Sequence, residues 1–322
     1  MSTPNAPLEA LHNRFLDDCR RIAPVARDDR IGVAVSGGFD SLALLLLAHA
    51  TFGASVEAAT VDHRLRAGST GEAEFVAHIC SDLGIRHIVL TLPGQRRGNA
   101  GQWAREMRYA HLGEWADDRG LAWLMTGHHA DDQLETVVMR LNRGSGVGGM
   151  SGIRARNGTV LRPLLGWRHS ELVALVHDAG LEAIDDPSNR DDRFDRARLR
   201  KAIASADWLD PLAAVRMAAA LDEADAALGW ASQRLADERV VRAGDALVFD
   251  ASGLPAEIER RIVAGCIQLL NADAKLDGPK VTRLLATLRG AGKATLDGVA
   301  CDARGTGWVF RVAPERTPAP TD

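Results

Sequence analysis

The chain has 322 residues, of which 46% are hydrophobic and 25% are charged, as in ordinary globular proteins of about two domains. The net charge of -4 argues against a protein that coats nucleic acid through overall positive charge, and it permits only a local basic patch. The longest apolar run, 42–48, is too short to cross a bilayer, and the first ten residues lack a signal-peptide pattern. We therefore expect a cytoplasmic protein that does not enter a membrane.

Short strands alternate with helices in the first part of the chain. After an opening amphipathic helix at 11–22, we predict strands at 31–35, 56–61, 86–92 and 121–126, and helices at 42–49, 72–83, 101–118 and 132–143. This alternation predicts an α/β fold with a doubly wound parallel sheet and helices on both of its faces. In such sheets ligands bind beyond the carboxyl ends of the strands, so the turns that follow each strand matter most.

The pattern changes in the second half. A Gly-rich stretch at 144–152 and a helix at 170–179 lead into a segment, 185–203, that is dense in both charge signs. Pro211 then opens a long Ala-rich helix, which is followed by a helix at 257–270 and strands within 295–311. We predict a catalytic domain over 1–210 and a smaller α+β domain over 211–322, whose tail APERTPAPTD is expected to be disordered.

A Ser-Gly-Gly-x-Asp-Ser turn joins the first predicted strand to its helix. Free backbone N–H groups and the positive end of the helix dipole favour an anion there, and the glycines let phosphate oxygens approach the backbone. Asp40 is a natural anchor for Mg²⁺ beside such a phosphate. The turn contains neither a P-loop lysine nor a G-x-G-x-x-G fingerprint, and an ordinary β–α turn capped by an Asp is the alternative. The predicted nucleotide-binding residues of this loop are Ser36, Gly37, Gly38, Phe39, Asp40 and Ser41.

The second predicted strand ends in the sequence DHRLR, which would lie beside the Ser-Gly-Gly loop on a parallel sheet. Asp62 or His63 could then reach the nucleotide and Arg64 a phosphate, although a solvated loop is the ordinary alternative.

The fourth predicted strand runs into the sequence GHHADDQLETVVMRL. A buried stripe is predicted at Leu134, Val137, Val138 and Leu141. Asp132 would project from the other face as a second Mg²⁺ ligand or a proton acceptor, and Asp131 is predicted to cap the helix. Two histidines and two aspartates in this segment also fit a metal-dependent phosphohydrolase, but the Ser-Gly-Gly loop weighs against that interpretation.

The helix before the fourth strand carries Arg105 and Arg108 at i, i+3 spacing, with Tyr109 beside them. The shared face suits a clamp for a phosphate or a carboxylate, and surface ion pairs are an equally ordinary interpretation.

Together these motifs resemble the tRNA(Ile)-lysidine synthetases, which are ATP-pyrophosphatases with the S-G-G-x-D-S (PP) loop. The matching segments are SGGFDS at 36–41, DHRLR at 62–66, AREMRY at 104–109, GHHADDQLETVVMRLNRGSG at 127–146, LRPLLG at 161–166 and DPSNRDDRFDRARLR at 186–200. The loop alone specifies only the pyrophosphatase group, whereas the segment at 127–146 with DPSN is much more specific. The resemblance is strong over the first two thirds of the chain and loose in the last third.

The resemblance implies an adenine nucleotide alpha hydrolase-like fold and a ligase reaction with ATP and Mg²⁺ as cofactors. ATP would adenylate the C2 oxygen of the wobble cytidine in the CAU-anticodon tRNA(Ile), and free L-lysine would then displace AMP. It also implies that Asp40 and Asp132 hold the ion and that the C-terminal domain binds tRNA. Further catalytic candidates fall in motifs that line this family's site: His129, Arg105, Arg108 and Tyr109.

The densest basic run lies between Arg190 and Lys201 and is the main candidate for RNA contacts, which would make binding sensitive to salt. Interleaved aspartates offer a self-neutralised surface helix as the alternative. The proposed tRNA-binding residues are Arg64, Arg143, Arg193, Arg196 and Arg200.

A tRNA 2-thiocytidine synthetase is the nearest rival, since it shares the loop and the cytidine target but normally needs C-x-x-C pairs. The four cysteines here are scattered, without such a pair, and are predicted to be buried. An inactive tRNA-binding module is a third possibility. The oligomeric state is left open, with a homodimer among the options.

Overall fold

The computed structural model describes residues 6–62, 69–92, 100–184 and 195–314. Contacts divide the chain into one unit of residues 1–145 and 149–220 and a second unit of residues 146–148 and 221–322. The sequence placed a boundary at Asp210, whereas the division at 220 falls inside the helix that starts just after that residue. The tail beyond residue 314, for which disorder was predicted, lies outside the described residues.

The first unit is built on a six-stranded sheet in the order β3-β2-β1-β4-β6-β5. Its strands are β1 Ile31–Ala34, β2 Val56–Asp62, β3 Arg86–Thr91, β4 Trp123–Met125, β5 Arg156–Asn157 and β6 Val160–Leu161. All neighbours are parallel except β5 and β6. The predicted doubly wound parallel sheet is confirmed, with one short antiparallel edge strand that the sequence did not predict.

Helices cover both faces of this sheet. The helices of the first unit are α1 Ala6–Ile22, α2 Phe39–Phe52, α3 Ser69–Asp82, α4 Ala100–Arg119, α5 Ala130–Asn142, α7 His169–Asp178 and α8 Asp195–Ala204. Helix α6 Val147–Met150 is divided between the two units, and α9 Pro211–Arg239 starts in the first. One apolar core joins α1, α2, α3 and α7 to the sheet, and a second, around Leu112 and Trp115, packs α4 on the other face. Burial of these side chains supplies the main favourable free energy of folding.

The strand order reverses at β1. The chain leaves β1 for β2 and β3 on one side, and it returns to place β4 on the other side. Connections on opposite sides of neighbouring strands open a crevice at their carboxyl ends, where α/β sheets bind ligands. The loops after β1 and β4 flank this crevice, and the sequence predicted chemistry for both of them, as it did for the loop after β2.

Helix α5 makes its main contacts with elements outside the sheet. It packs against α8 and the turn at 163–166, and Gln133 bonds the backbone N–H and C=O of Ile153. Leu134 and Val137 are buried as predicted, but the prediction was wrong for Leu141, which is 63% exposed. The predicted stripe rested on helical spacing alone, and Leu141 lies in the last turn of α5, where the following residues are exposed as well.

The second unit contains an antiparallel sheet in the order β7-β8-β11-β10-β9. Its elements are β7 Val240–Ala243, β8 Ala246–Phe249, α10 Ala256–Leu270, α11 Gly278–Arg289, β9 Lys293–Leu296, β10 Val299–Asp302 and β11 Trp308–Val312. Phe249, Val263 and Phe310 lie in its core. The predicted α+β character is confirmed. Among the described residues, no helix combines the length and apolarity that a membrane crossing requires.

Candidate nucleotide and metal site

The turn after β1 is built around Gly37. Its φ of +88° is in the left-handed region, where a Cβ is disfavoured. An added Cβ would also lie 2.6 Å from Ile184 Cδ1, and the Ile184 N–H donates to Gly37 O at 2.9 Å. The glycine is therefore required twice, by its backbone conformation and by the segment packed on it.

The two serines of this turn hold it together. Ser41 Oγ donates to Gly38 O at 2.9 Å and accepts from Ser36 N–H at 3.1 Å, and the two hydroxyls lie 3.2 Å apart. Ser41 is buried, so in this state its hydroxyl stabilises the loop. Gly38 gives α2 no side-chain cap, which leaves the first N–H groups of the helix available to an anion.

The side chains of Phe39 and Asp40, which follow this turn, make different kinds of contact. The Phe39 ring lies 5.2 Å from the His177 ring, so this side chain packs against α7 and only its backbone is offered to a ligand. Asp40 Oδ1 lies 2.8 Å from His169 Nδ1, and Oδ2 lies 3.4 Å from His129 Nε2. Burial alone would raise the pKa of Asp40, but its contacts with these two histidines hold it well below the usual range, and the carboxylate is ionised.

His129 caps helix α5 and lies between the two predicted metal ligands. Its backbone N–H donates to Asp132 Oδ2 at 3.2 Å, and its Nε2 lies 3.5 Å from the same oxygen. Burial lowers the pKa of His129, but Asp131, Asp40 and Asp132 together raise it to about 10. The Asp132 N–H approaches Nδ1 at 3.4 Å, which would need a neutral nitrogen. That contact is too long to outweigh three carboxylates, which favour the protonated ring wherever no cation competes with it for them.

Asp131 does not cap α5, contrary to the prediction. It accepts from Arg168 Nη2 at 3.2 Å and from the backbone N–H of His169 at 2.8 Å. These contacts join the start of α5 to the start of α7. The carboxylate of Asp132 serves at the helix start instead, accepting from the backbone N–H of the N-cap residue His129.

A buried carboxylate that the sequence did not single out lies one turn further along α5. Glu135 is 3% exposed and accepts from Arg196 Nε and Arg200 Nε, each at 2.6 Å. Burial would raise the pKa of Glu135, but the two guanidinium groups lower it. Arg196 also donates to Asp132 Oδ1 at 2.5 Å. Two arginines predicted to bind tRNA therefore neutralise carboxylates of the site, and the interleaved aspartates are not their partners in these contacts.

Three side chains from three helix starts could share a cation. One ligand atom from each of Asp40, His129 and His169 lies within 4.8 Å of the others. Asp132 is not part of this group, although its Oδ2 lies 3.5 Å from His129 Nε2, the nitrogen that Asp40 Oδ2 approaches at 3.4 Å. His169 was not predicted, because no local motif marks it.

Tyr109 marks a second group of side chains. Arg105 lies over its ring, 5.3 Å from the centroid, and its hydroxyl accepts from Arg162 Nη2 at 3.3 Å. Arg162 is 5% exposed and also donates to Arg154 O at 2.8 Å. The predicted clamp partner Arg108 is exposed on the same helix.

The remaining predicted residues divide between described and undescribed segments. Asp62 is buried at the end of β2, and Arg143 is exposed just after α5. His63, Arg64 and Arg193 lie outside the described residues.

The loops after β1 and β4 touch through their backbones. A Cβ on Gly127 would lie 2.9 Å from Asp40 O and 3.2 Å from Ser41 N. The glycine before the two histidines therefore lets the predicted phosphate loop and the carboxylate-bearing helix α5 meet directly.

Comparisons with known proteins agree with this geometry. The family model of the PP-loop domain matches residues 8–206. A tRNA(Ile)-lysidine synthase from Novosphingobium aromaticivorans is 43% identical over 315 residues, covering 96% of this chain and 95% of that protein. Its counterpart from Zymomonas mobilis is 38% identical over 302 residues and covers 90% of each chain.

One solved structure shares the fold. The U34-tRNA thiolase NcsA from Methanococcus maripaludis, determined with its [4Fe-4S] cluster, aligns with a TM-score of 0.58 at 15% identity. The alignment covers 68% of this chain and 80% of that one. At this identity the likeness concerns the fold alone.

Proposed function

We propose a specific reaction for this chain, which belongs to the tRNA(Ile)-lysidine synthase family of PP-loop enzymes. It is an ATP-dependent ligase that acts on a tRNA. In the proposed reaction, L-lysine is joined to C2 of the wobble cytidine of the CAU-anticodon tRNA(Ile), with release of AMP and pyrophosphate. Because its RNA substrate is found there, we also propose a cytoplasmic location.

The reaction needs two steps because the cytidine C2 oxygen is a poor leaving group. In the first step this oxygen attacks the α-phosphorus of ATP, and the bond to pyrophosphate breaks. In the second step an amino group of lysine attacks C2, a C–N bond forms, and the C–O bond breaks as AMP leaves. The nitrogen loses a proton, so the site must hold both an anionic leaving group and an amine nucleophile.

In this proposal the phosphate loop binds ATP for the first step. The uncapped N–H groups at the start of α2 would bind phosphate oxygens, in a turn held by Ser36 and Ser41. Asp62, which is buried at the end of the neighbouring strand, is proposed to contact the nucleotide. The single observation that supports this most is the ionised Asp40 at that helix start, facing Asp132 across His129.

Asp40 and Asp132 are proposed to hold Mg²⁺. The donor set fits, because Mg²⁺ prefers carboxylate oxygens together with phosphate oxygens and water, and the two side chains keep 33% and 13% of their surface exposed. When bound, the ion would supply positive charge that offsets the charge on the departing pyrophosphate.

Arg105, Arg108 and Tyr109 are proposed to line the substrate side of this crevice. Arg64, Arg143 and Arg193 remain proposed tRNA contacts. Arg196 and Arg200 are proposed to contact tRNA through the part of each side chain that stays exposed, 44% and 46%.

Two rival reactions are less well supported. A 2-thiocytidine synthetase would need paired cysteines, and the four cysteines here are free and buried. A metal-dependent hydrolase could use Asp40, His129 and His169, but it would have no use for the uncapped phosphate loop beside them.

Incorporation of labelled lysine into a CAU-anticodon tRNA(Ile) transcript tests the proposal. We expect incorporation that depends on ATP and Mg²⁺ and is matched by pyrophosphate release. Incorporation should fall at least about 100-fold in Asp40→Asn, as expected when a charge that assists the transition state is removed. The exposed Glu223→Asn is the matched control and should behave as wild type. Folded wild-type protein that incorporates no lysine with both cofactors present would disprove the reaction.

A further inference from the structure

Five arginines gather near the carboxyl edge of the first sheet, and we call them the arginine track. They come from α4, the end of α5, and the segments before β5 and after β6: Arg105, Arg140, Arg143, Arg154 and Arg162. Tyr109 joins Arg105 to Arg162, and Arg162 bonds the backbone of Arg154. Arg140 donates to Gly149 O. Burial lowers the pKa of Arg140, and the positive charges of Arg154, Arg105 and Arg143 lower it further. These cations are therefore close enough to repel one another.

Much of this positive charge has no carboxylate partner within the described part of the chain. Arg105, Arg140, Arg143 and Arg162 form no ion pair with described residues, whereas Arg168, Arg196 and Arg200 each bind an Asp or a Glu. Arg162 is the extreme case, because it is 5% exposed and its Nε has no hydrogen-bond partner among those residues. A buried, unpaired cation among like charges is costly, so the free energy of the arrangement favours an anionic ligand.

The dimensions of the track decide which anion fits. Arg140 follows Asp132 by eight residues on one helix, which places it about 12 Å further along the axis. ATP phosphates held beside Asp40 would not extend over that distance, whereas an RNA strand carries a phosphate at every nucleotide. Leu141, 63% exposed at the same helix end, adds an apolar contact of the kind a base or ribose can cover.

We propose that the arginine track binds consecutive phosphodiester groups of the tRNA strand next to the base that is modified. The inference rests on the proposed function for the identity of that RNA. Within the track, Arg140, Arg143 and Arg154 contact phosphates. The buried Arg162 is a positioning residue, which orients Tyr109 and Arg154 through its hydrogen bonds to them.

Salt-dependent binding tests the track. The dissociation constant of the CAU-anticodon tRNA(Ile) transcript is measured between 50 and about 300 mM salt for Arg140→Gln, Arg143→Gln and Arg154→Gln. Each change should weaken binding about tenfold at low salt and reduce the slope of log K against log salt by about 1, since one phosphate contact is lost. The KM for ATP should stay within twofold of wild type. Arg86→Gln, which removes an exposed arginine at the opposite edge of the sheet, is the matched control and should leave both quantities unchanged.

Two outcomes would overturn the inference. One is an unchanged tRNA affinity and salt slope in the folded variants, and the other is a raised KM for ATP without a change in tRNA binding, which would assign the track to the nucleotide. Arg143 is exposed, and its side chain forms no hydrogen bond or ion pair with described residues, so its variant remains informative if loss of the Arg140 contact to Gly149 impairs folding. Because tRNA binding is measured without lysine, failure of the track is distinguishable from failure of the ligase reaction.

Discussion

Arginine–carboxylate pairing differs between the two edges of the sheet in the first unit. At the amino edge, Glu57 is buried and accepts from Arg30 at 2.6 Å and from Arg119 at 2.8 and 3.1 Å. Burial would raise the pKa of Glu57, but hydrogen bonds from Arg119 and Arg30 lower it below its usual value. This cluster is internally neutralised and has a structural role, whereas four arginines of the track, all except Arg154, form no ion pair with described residues.

Glu57→Gln should lower the free energy of unfolding at pH 7.5 by about 2 kcal/mol, a value kept modest because the arginines are half-exposed. A lowered folded-state pKa stabilises the protein above the unfolded value of about 4.3, and this contribution is lost as the pH falls towards the folded value. The variant should therefore differ from wild type at pH 7.5 and converge with it near pH 3. Urea unfolding at both pH values measures the effect, with Glu223→Gln as the exposed control. An equal loss at both pH values would refute the electrostatic explanation.

Sequence reasoning at this scale identified residues whose partners are near in the chain. Asp40 and the serines of its turn were found because the whole motif spans six residues. His169 lies 129 residues from Asp40, and Arg200 lies 65 residues from Glu135, so neither contact leaves a local pattern. The same limit explains why Arg196 and Arg200 were predicted as RNA contacts before their carboxylates were known.

At the scale of elements, the turn between β1 and α2 allows a direct test of its glycine. Gly37→Ala adds a left-handed strain of about 1–2 kcal/mol and a Cβ contact of 2.6 Å with Ile184. Because the loop must shift, we expect the KM for ATP to rise at least about tenfold, a loss of more than about 1.4 kcal/mol of binding. Gly84→Ala is the matched control, since Gly84 also has a positive φ, +67°, but nothing lies within 4 Å of its added Cβ.

Equal effects of the two glycine variants on KM would contradict the prediction, because they would show that a general effect of the substitution, and not a shift of the turn between β1 and α2, raises the KM for ATP. Steady-state pyrophosphate release at varied ATP concentration measures the difference, and urea unfolding separates it from a general loss of stability.

The strands and helices of the first unit were predictable because their periodicity is local. The packing of α5 on α8 and on the turn at 163–166 was not predictable. It depends on contacts with residues that follow α5 by 20 or more positions in the sequence, as read from the element bounds. The hairpin of β7 and β8 has a sequence pattern that indicates it, a Gly-Asp turn between two apolar runs. It was not predicted, because charged residues surround these short runs.

The cysteines report on the folding of both units, because each unit contains two of the four. Burial raises the pKa of Cys80 to about 11 and that of Cys301 to about 12, and Cys19 and Cys266 are raised to about 12 as well. We expect no rapid reaction of Ellman's reagent with the native protein and four reactive thiols in urea, because only an accessible thiolate reacts. A thiol that reacts in the native state at the rate of free cysteine would contradict this burial.

The fold of the whole molecule was predicted correctly in class and in its two-part architecture. The antiparallel β5 at the sheet edge escaped prediction because a two-residue strand has no periodicity to detect. The order in which the strands pair was inferred only in outline, since pairing is set by long-range contacts.

The glycine at position 127 also determines how precisely the loops after β1 and β4 are spaced. Since the polypeptide backbone of one loop contacts that of the other, the spacing between the proposed nucleotide-binding loop and the acidic helix is set by main-chain atoms, which have no rotamers to exchange. Thermal motion of side chains cannot widen or narrow this gap, and any residue larger than glycine would act as a wedge there. The alignment of two reactants in successive chemical steps is thereby tied to the most rigid part of the polypeptide.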